Sequence, residues 1–293
     1  MIRAPRPDED AEAVLRVMIA RDIADIGQPD VTLEDVRAFW ATPGVDLARD
    51  AWVVAAPGGE IVASSQLLGD DALIFVHPDA CGRGIGSALR VRAEERARER
   101  GTAVLRQFQP VGNEGASSLL MAAEYWPAQH YMRMRMELEQ LPEASVDGIR
   151  PFERERDELE VHQVVEGAMS EVEGHMPATL EVWRAQRIFK EGWDPSLWLL
   201  LHDDEGLAGA ALGERWENGV GYVAELGVAP RARGRGHGRT LLLSLFAAFR
   251  RAGLSTAELS VHGANRSAAR LYESVGMRAS WEAQRWEKAL GHD

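Results

Sequence analysis

The chain has 293 residues but very little cysteine and very little lysine. Cys81 is the single cysteine, which excludes a disulfide within the chain and a cysteine-ligated zinc site. No apolar run approaches the roughly 20 residues that a membrane-spanning helix needs. The opening residues also lack the apolar stretch of a signal peptide. We therefore expect a cytoplasmic protein with no membrane partner and no metal.

The composition also lacks an excess of positive charge. The net charge is −13, and only 2 of the 33 basic residues are lysines. Residues 1–146 carry 15 basic against 23 acidic residues, and residues 147–293 carry 18 against 23. We therefore expect no nucleic-acid partner, because nucleic-acid-binding domains present a basic face. The exception is a local cluster formed by Arg231, Arg233, Arg235 and Arg239.

One unusual pattern occurs twice, 152 residues apart. Residues 78–86 read PDACGRGIG and residues 230–238 read PRARGRGHG, with six of nine positions identical. The same offset pairs Asn113 with Asn265, which predicts two copies of one domain. The copies differ at three polar positions, where Glu225, Arg233 and Tyr272 of the second copy correspond to Leu73, Cys81 and Leu120 of the first.

Hydrophobic periodicity predicts a mixed α/β fold in each half. Asp8 is the expected N-cap of the first helix and Thr32 that of the second. Polar residues around 139–148 predict a boundary, giving domains at 1–140 and 147–293. Strands are predicted at 51–56, 60–68, 72–76, 103–108, 130–138, 196–202, 206–216, 221–228, 257–262 and 281–290. Helices are predicted at 7–23, 84–100, 114–123, 157–172, 178–190, 236–252 and 265–275.

In both copies a glycine-rich turn follows a strand and opens a long helix. Glycine lets the backbone approach an anion closely, and a helix N-terminus offers unpaired amides and partial positive charge. The pattern predicts a pyrophosphate cradle. A Walker A loop is excluded because neither copy has the lysine, and the strands that precede the turn argue against a dinucleotide fingerprint. A tight turn with no ligand is the remaining alternative.

The second half resembles the GNAT superfamily of acyl-CoA N-acyltransferases. The resemblance is carried by a strand, the motif Arg233-x-x-Gly236-x-Gly238, a long helix, a strand, and then Asn265-x-x-Ala268-x-x-Leu271-Tyr272. The first half resembles it in part, so the chain resembles the tandem two-domain type found in actinobacteria. This implies two domains, each a mixed, mostly antiparallel sheet flanked by helices, with acetyl-CoA (coenzyme A) as cofactor.

The resemblance also implies roles for individual residues. Tyr272 would act as general acid toward the leaving thiolate, and Glu225 is our candidate general base, with Tyr222 as a second possible relay. The cofactor-binding positions would be Leu226, Gly227, Val228, Arg233, Gly234, Arg235, Gly236, His237, Gly238, Arg239, Thr240, Asn265 and Ala268. The acceptor would bind near the first two helices of that half, which carry His162, Glu166, Glu171, Glu173, His175 and Trp183.

The first copy keeps part of the cradle and lacks the three polar groups. A possible second cofactor site there comprises Val76, Gly82, Arg83, Gly84, Ile85, Gly86, Ser87 and Asn113. We expect this copy to be catalytically silent and Cys81 to be an inert residue.

We therefore predict an N-acetyltransferase acting by direct attack of a primary amine, on a small molecule, at the thioester. The alternatives are a non-catalytic acyl-CoA-binding or sensor protein and a protein or peptide acetyltransferase.

Overall fold

The computed structural model describes residues 1–140, 148–170, 177–189, 192–216 and 219–291, and the chain falls into two compact units. The first unit comprises Met1–Tyr131 and Trp281–Asp293, and the second comprises Met132–Ser280. The predicted second domain, 147–293, includes the last strand, whereas the residues of this strand from Trp281 onward lie in the first unit. The predicted boundary at 139–148 falls mostly outside the described residues.

Strands and helices are numbered in chain order. The first unit contains a sheet with the order β1-β2-β3-β4-β5-β12. Its strands are β1 (Ile2–Arg3), β2 (Ala51–Ala55), β3 (Ile61–Leu68), β4 (Asp71–Val76), β5 (Val104–Pro110) and β12 (Arg278–Ala289). Its helices are α1 (Pro7–Ile26), α2 (Leu33–Trp40), α3 (Leu47–Asp50), α4 (Ile85–Glu99) and α5 (Glu114–Ala122).

The second unit repeats this plan with the strand order β6-β11-β10-β9-β8-β7. Its strands are β6 (Trp126–Glu137), β7 (Ile149–Pro151), β8 (Trp198–Asp203), β9 (Gly206–Arg215), β10 (Val220–Val228) and β11 (Thr256–His262). The residues of β6 before Met132 are assigned to the first unit, and those of β12 before Trp281 to the second. Its helices are α6 (Arg154–Met169), α7 (Leu180–Arg187), α8 (His237–Arg251) and α9 (Arg266–Ser274). The predicted mixed α/β fold with mostly antiparallel sheets is confirmed.

Two parallel neighbours in each sheet pair over only a short distance. The ladder between β10 and β11 runs from Val220–Thr256 to Tyr222–Glu258. In the first unit, β4 and β5 are paired at Asp71–Arg106. The later residues of β10 and β4 lie outside these two ladders, so neither strand pairs with its parallel neighbour there.

A β-bulge in β10 distinguishes the second unit from the first. Val223 pairs with Gly213 and Glu225 pairs with Leu212, which leaves Ala224 as the extra residue. A Cβ at Gly221 would lie 2.4 Å from the ring of Phe249 on α8, whereas one at Gly227 would lie 3.1 Å from Cα of Val165 on α6. Residues an even number apart normally share a face, so the bulge turns the end of β10 over. The β3–β4 register is continuous from Ala63–Val76 to Leu68–Asp71.

Both units tie their first strand to their first helix with the same ion pair. Arg3 donates to Asp10 at 2.6 Å in the first unit, and Arg150 donates to Asp157 at 2.6 Å in the second. The predicted N-cap at Asp8 is wrong, because α1 begins at Pro7 and Asp8 lies in its first turn. The predicted cap at Thr32 is confirmed by a capping box with Asp35. No helix among the described residues is long and apolar enough to span a bilayer.

Candidate active site

The glycine turn of the second unit places the N-terminus of α8 in open space. Gly234 and Gly236 have φ values of +76° and +82°, in the left-handed region that favours glycine, and a Cβ on either would meet no atom within 4 Å. Thr240 N donates to Gly236 O at 3.1 Å as the first helical hydrogen bond. The amides before it have no partner within the helix, so the turn is suited to an anion.

Gly238 serves packing rather than conformational freedom. A Cβ there would lie 3.1 Å from Leu271 Cδ2 of α9 and 3.7 Å from Val228 Cγ2 of β10. The absence of a side chain therefore lets α8, α9 and the end of β10 meet closely. His237 and Thr240 lie in the same first turn of α8, half-buried, while Arg235 and Arg239 are exposed beside it.

The predicted basic cluster is smaller than expected. Arg231 donates to Asp203 at 2.7 Å and to Leu207 O at 3.1 Å, so this side chain is held away from the turn by an ion pair. Arg233 lies at the turn, and its Nε donates to Val228 O at 3.3 Å. Arg233 therefore connects the glycine turn to the end of β10, where Leu226 and Val228 pack against the core and Gly227 lies under α6.

Helix α9 carries the predicted asparagine and tyrosine. The side chain of Asn265 caps this helix by accepting from Ala268 N at 3.0 Å. Tyr272, seven residues on and half-buried, packs against the core of the unit. Burial raises the pKa of Tyr272 to about 12, and the neighbouring Tyr222 adds to the shift. The phenol is therefore neutral at physiological pH and is available as a hydrogen-bond donor.

The bulge directs Glu225 to the same helical layer as α6 and α7. Arg187 Nε donates to Glu225 Oε1 at 2.7 Å, and Trp183 Nε1 donates to Oε2 at 3.3 Å. The Glu225 side chain is 10% exposed and that of Arg187 is 32% exposed. Both oxygens of the candidate base are thus occupied by donors from α7.

An aromatic pair lies beside these charges. Trp216 and Tyr222 stack with ring centroids 3.9 Å apart, and Arg133 lies 5.0 Å from the Trp216 ring. Tyr222 also contributes, through its charge, to the raised pKa of Tyr272. Glu214 is the register partner of Tyr222 on β9 and accepts from Trp216 Nε1 at 3.2 Å.

The predicted acceptor-side residues have structural partners where they are described. His162 Nε2 lies 2.8 Å from Ala178 O, and Glu166 accepts from Ala178 N at 3.3 Å. His162 also packs edge-on against Trp183, with ring centroids 5.6 Å apart. These residues secure the segment before α7. The predicted contributions of Glu171, Glu173 and His175 lie outside the described residues.

The first unit contains a cavity of about 440 Å³ at the matching glycine turn. Seven of the eight residues predicted for a second cofactor site line it, namely Val76, Gly82, Gly84, Ile85, Gly86, Ser87 and Asn113. Arg83 is not among the lining residues and donates to Asp79 O at 2.8 Å. Cys81 also lines the cavity, with its Sγ 3.6 Å from Arg21 Nη1. Asn113 caps α5 through Ala116 N and donates to Asp25.

Sequence reasoning missed four polar residues. Gln107 and Gln109 of β5 line the cavity of the first unit, where the 152-residue offset places Leu259 and Val261 in the second. That offset was a usable signal. Arg187 pairs with Glu225, and Glu214 lies 3.8 Å from Arg187. Nothing in the sequence singled out either residue, because charged residues on helices and strand ends are usually solvated. Among the described residues, no group of three or more His, Cys, Asp and Glu side chains is arranged to hold a metal ion.

Comparisons with known proteins point to an acetyltransferase family. The acetyltransferase (GNAT) family profile matches residues 161–277. A mycothiol acetyltransferase of Kineococcus radiotolerans is 31% identical over 96% of this chain and 94% of its own.

Solved structures share the whole two-unit plan. A GCN5-related N-acetyltransferase from Sphaerobacter thermophilus superposes with a TM-score of 0.85 at 31% identity, covering 99% of this chain and 95% of that one. A tandem GNAT protein from the clavulanic acid biosynthesis pathway shares the fold, with a TM-score of 0.74 at 18% identity over 99% and 98% of the two chains. The chain therefore belongs to the GNAT family of acetyltransferases, in its tandem-domain form, with one glycine turn in each unit.

Proposed function

We propose that the protein transfers the acetyl group of acetyl-CoA to a primary amine of a small molecule, and that the second unit is the catalytic one. The observation that carries this proposal is the presence, in one unit, of the open glycine turn, the neutral Tyr272 phenol and the acidic Glu225 at the turned end of β10. The first unit has the turn without the other two groups.

The residues of the second unit fit coenzyme A. The amides of residues 234–239 would hold the pyrophosphate at the N-terminus of α8, with Arg233 adding positive charge. The backbone of Leu226, Gly227 and Val228, which lies outside the ladder with β11, would pair with the pantetheine arm. Acetyl-CoA supplies an already activated thioester, so the chief task of the protein is to position the amine.

Tyr272 would donate a hydrogen bond to the departing sulfur. Its pKa of about 12 lies roughly 3.5 units above the value of about 8.5 for an ordinary thiol. Complete transfer of the proton is therefore uphill by about 5 kcal/mol, at about 1.36 kcal/mol per unit. We infer that Tyr272 stabilises the thiolate as a donor and that solvent completes the protonation.

Glu225 would receive the proton of the attacking ammonium, directly or through a water molecule. The carboxylate is oriented by Trp183 and Arg187, so its position does not depend on the acceptor. The donors on its two oxygens also mean that an acceptor ammonium has to compete for the carboxylate.

We propose the desacetyl form of mycothiol as the acceptor to test first. The name of the Kineococcus relative supports this choice, since it spans nearly the whole chain. The Sphaerobacter protein is equally similar, and its name specifies no acceptor. The test should therefore include a panel of other small amines and a lysine-containing peptide.

The test is release of coenzyme A thiol by the purified full chain, with acetylated product identified by mass. Turnover of desacetylmycothiol above the other amines would support the proposal. Turnover of the peptide alone would favour a protein acetyltransferase. Acetyl-CoA binding by calorimetry without turnover of any amine would favour a binding or sensor protein.

The cavity of the first unit supports a second role, the binding of a coenzyme A-type ligand without turnover. The cavity is lined by the glycine turn at the start of α4 and by the end of β4, which lies beyond the residues paired with β5. Calorimetry with acetyl-CoA tests this, since two binding events per chain are expected and one would contradict it.

A further inference from the structure

Glu225 is held by two donors from one helix. Arg187 occupies Oε1 and Trp183 occupies Oε2, at 2.7 Å and 3.3 Å. An acceptor ammonium that is to pass its proton to Glu225 needs an approach to one of these oxygens. Two cations, the Arg187 guanidinium and the acceptor ammonium, therefore compete for one largely buried carboxylate.

A second carboxylate lies within reach of the same guanidinium. Glu214 Oε1 lies 3.8 Å from Arg187 Nη1, beyond hydrogen-bond distance but within an ion pair. The Glu214 side chain is 16% exposed, so it is also largely sheltered from solvent. Arg187 therefore has one close partner and one looser partner, and a small movement would reverse their order.

We propose that Arg187 is an exchangeable counter-ion of the acceptor site. It pairs with Glu225 while the site is empty and moves to Glu214 when the acceptor ammonium takes its place at Glu225. This proposal rests on the proposed function, since it assumes a cationic acceptor at Glu225. Arg187 is a positioning residue in this scheme, because it acts on the acceptor through the carboxylate.

The exchange leaves no buried charge without a partner. Removing one member of a buried ion pair is costly because the other charge stays behind uncompensated. Here Glu225 gains the ammonium as it loses Arg187, and Arg187 gains Glu214. Trp183 continues to orient Glu225 through Oε2 throughout.

The position of Arg187 suits such a movement. It is the last residue of α7, and its side chain is more exposed than either carboxylate. An arginine has a long flexible stem, and its planar head can meet carboxylates in several orientations. The consequence for specificity is that a neutral acceptor cannot displace Arg187, so the site selects for a protonated amine.

The test compares four variants by steady-state kinetics with acetyl-CoA and desacetylmycothiol or, if the wild type prefers another amine of the panel, with that amine. The variants are Glu214→Gln, Arg187→Gln, the double variant and Arg184→Gln. Arg184 is the matched control, since it lies in the same last turn but pairs with Glu158. Thermal melts establish that each variant is folded.

We expect Glu214→Gln to raise the acceptor KM about tenfold and to leave the acetyl-CoA KM unchanged, because Arg187 loses its alternative partner. Arg187→Gln should leave the acceptor KM at or below the wild-type value while kcat falls. The double variant should show an acceptor KM within about threefold of Arg187→Gln alone. Arg184→Gln should stay within about twofold of the wild type.

Two results would overturn the exchange. One is an increase in acceptor KM from Glu214→Gln that is equally large with and without Arg187, which would mean that Glu214 contacts the acceptor itself. The other is a Glu214→Gln variant that behaves like Arg184→Gln. An inactive wild type would instead reject the proposed function, and the exchange with it.

Discussion

At the position where β10 of the second unit turns Glu225 toward α7, β4 of the first unit continues without a bulge and presents Leu73. Two positions further on, Gly227 leaves room for the backbone of α6, whereas Phe75 packs against the cluster of α1. Leu73 lies against α1 and α2, as Glu225 lies against α7, so the two strands present equivalent positions to equivalent helices and differ in the side chain there. The bulge instead changes the face of the residues before Ala224, because Gly221 and Val223 both pack with α8.

The first unit has also filled the space next to Leu73. A cavity of only about 20 Å³ remains there, lined by Phe39, Trp40 and Phe75 among others. That volume accommodates roughly one water molecule. Its ligand-sized cavity lies on the other side, at the glycine turn. The first unit therefore has a cavity at its glycine turn and little space beside Leu73.

A matched pair of glycine substitutions, one in each unit, tests which unit is needed for turnover and has the largest expected effect. Gly84 and Gly236 have φ values of +75° and +82°, and neither would bring a Cβ within 4 Å of another atom. An aspartate costs about the same backbone strain in both, roughly 1–2 kcal/mol for the left-handed conformation. We expect Gly236→Asp to abolish turnover by repelling the pyrophosphate, and Gly84→Asp to spare it.

Calorimetry and kinetics on both folded variants provide the check. Loss of turnover in a normally folded Gly84→Asp protein would mean that the first unit takes part in catalysis. Unchanged acetyl-CoA binding to Gly236→Asp would show that the amides of residues 234–239 do not hold the pyrophosphate.

Tyr272→Phe should lower kcat about 10- to 1000-fold with little change in acetyl-CoA affinity, as expected when a hydrogen-bond donor to the leaving thiolate is lost. The matching residue of the first unit is Leu120, which is buried and apolar. An unchanged kcat accompanied by a pre-steady-state burst would show that thiolate release is not rate-limiting. An unchanged kcat without a burst would make Tyr272 a packing residue.

Trp286→Ala tests where the last strand belongs. Trp286 is 5% exposed and lies in the cluster of the first unit with Leu105 and Leu120. We expect a loss of about 3–5 kcal/mol in the stability of the first unit, the usual cost of a large cavity. Hydrogen exchange should show weaker protection in β5 than in β11. Equal loss in both strands would mean that the units unfold together.

Alkaline pH should weaken the second unit through Tyr272. Its folded pKa of about 12 lies above the ordinary value of 10.0, so the neutral form stabilises the fold below pH 10 and this contribution is lost as the pH rises toward 12. The full effect is about 3 kcal/mol, at about 1.36 kcal/mol per pH unit. Denaturant titrations at pH 9 and 11 should show a smaller decline for Tyr272→Phe than for the wild type.

Cys81→Ser should have the smallest effect. Cys81 is exposed and stands where the second unit has Arg233. We expect turnover within about twofold of the wild type and a stability change within about 0.5 kcal/mol, as for most surface substitutions. A larger loss of turnover after substitution or alkylation would connect the cavity of the first unit to catalysis.

Features that depend on neighbouring residues could be predicted from the sequence. The glycine turns, the caps at Thr32 and Asn265 and the start of α8 follow from local backbone preferences. The mixed α/β fold could also be predicted, because both halves show the same order of strands and helices. The predicted cap at Asp8 is wrong because Pro7 occupies the first helical position, so the N-cap is Arg6, two residues earlier.

From the sequence it could be predicted that the chain repeats one pattern and that each copy places a glycine-rich turn before a long helix. The sequence also shows that Leu73, Cys81 and Leu120 replace three polar residues of the second copy. Three features are visible only in the folded chain. These are the bulge at Ala224 that turns Glu225 toward α7, the hydrogen bonds from Arg187 and Trp183 to its carboxylate, and the place of residues from Trp281 onward in the first unit. The physical reason is distance along the chain. Strand register and ion pairing depend on residues that are tens to hundreds of positions apart, and local pattern does not specify them.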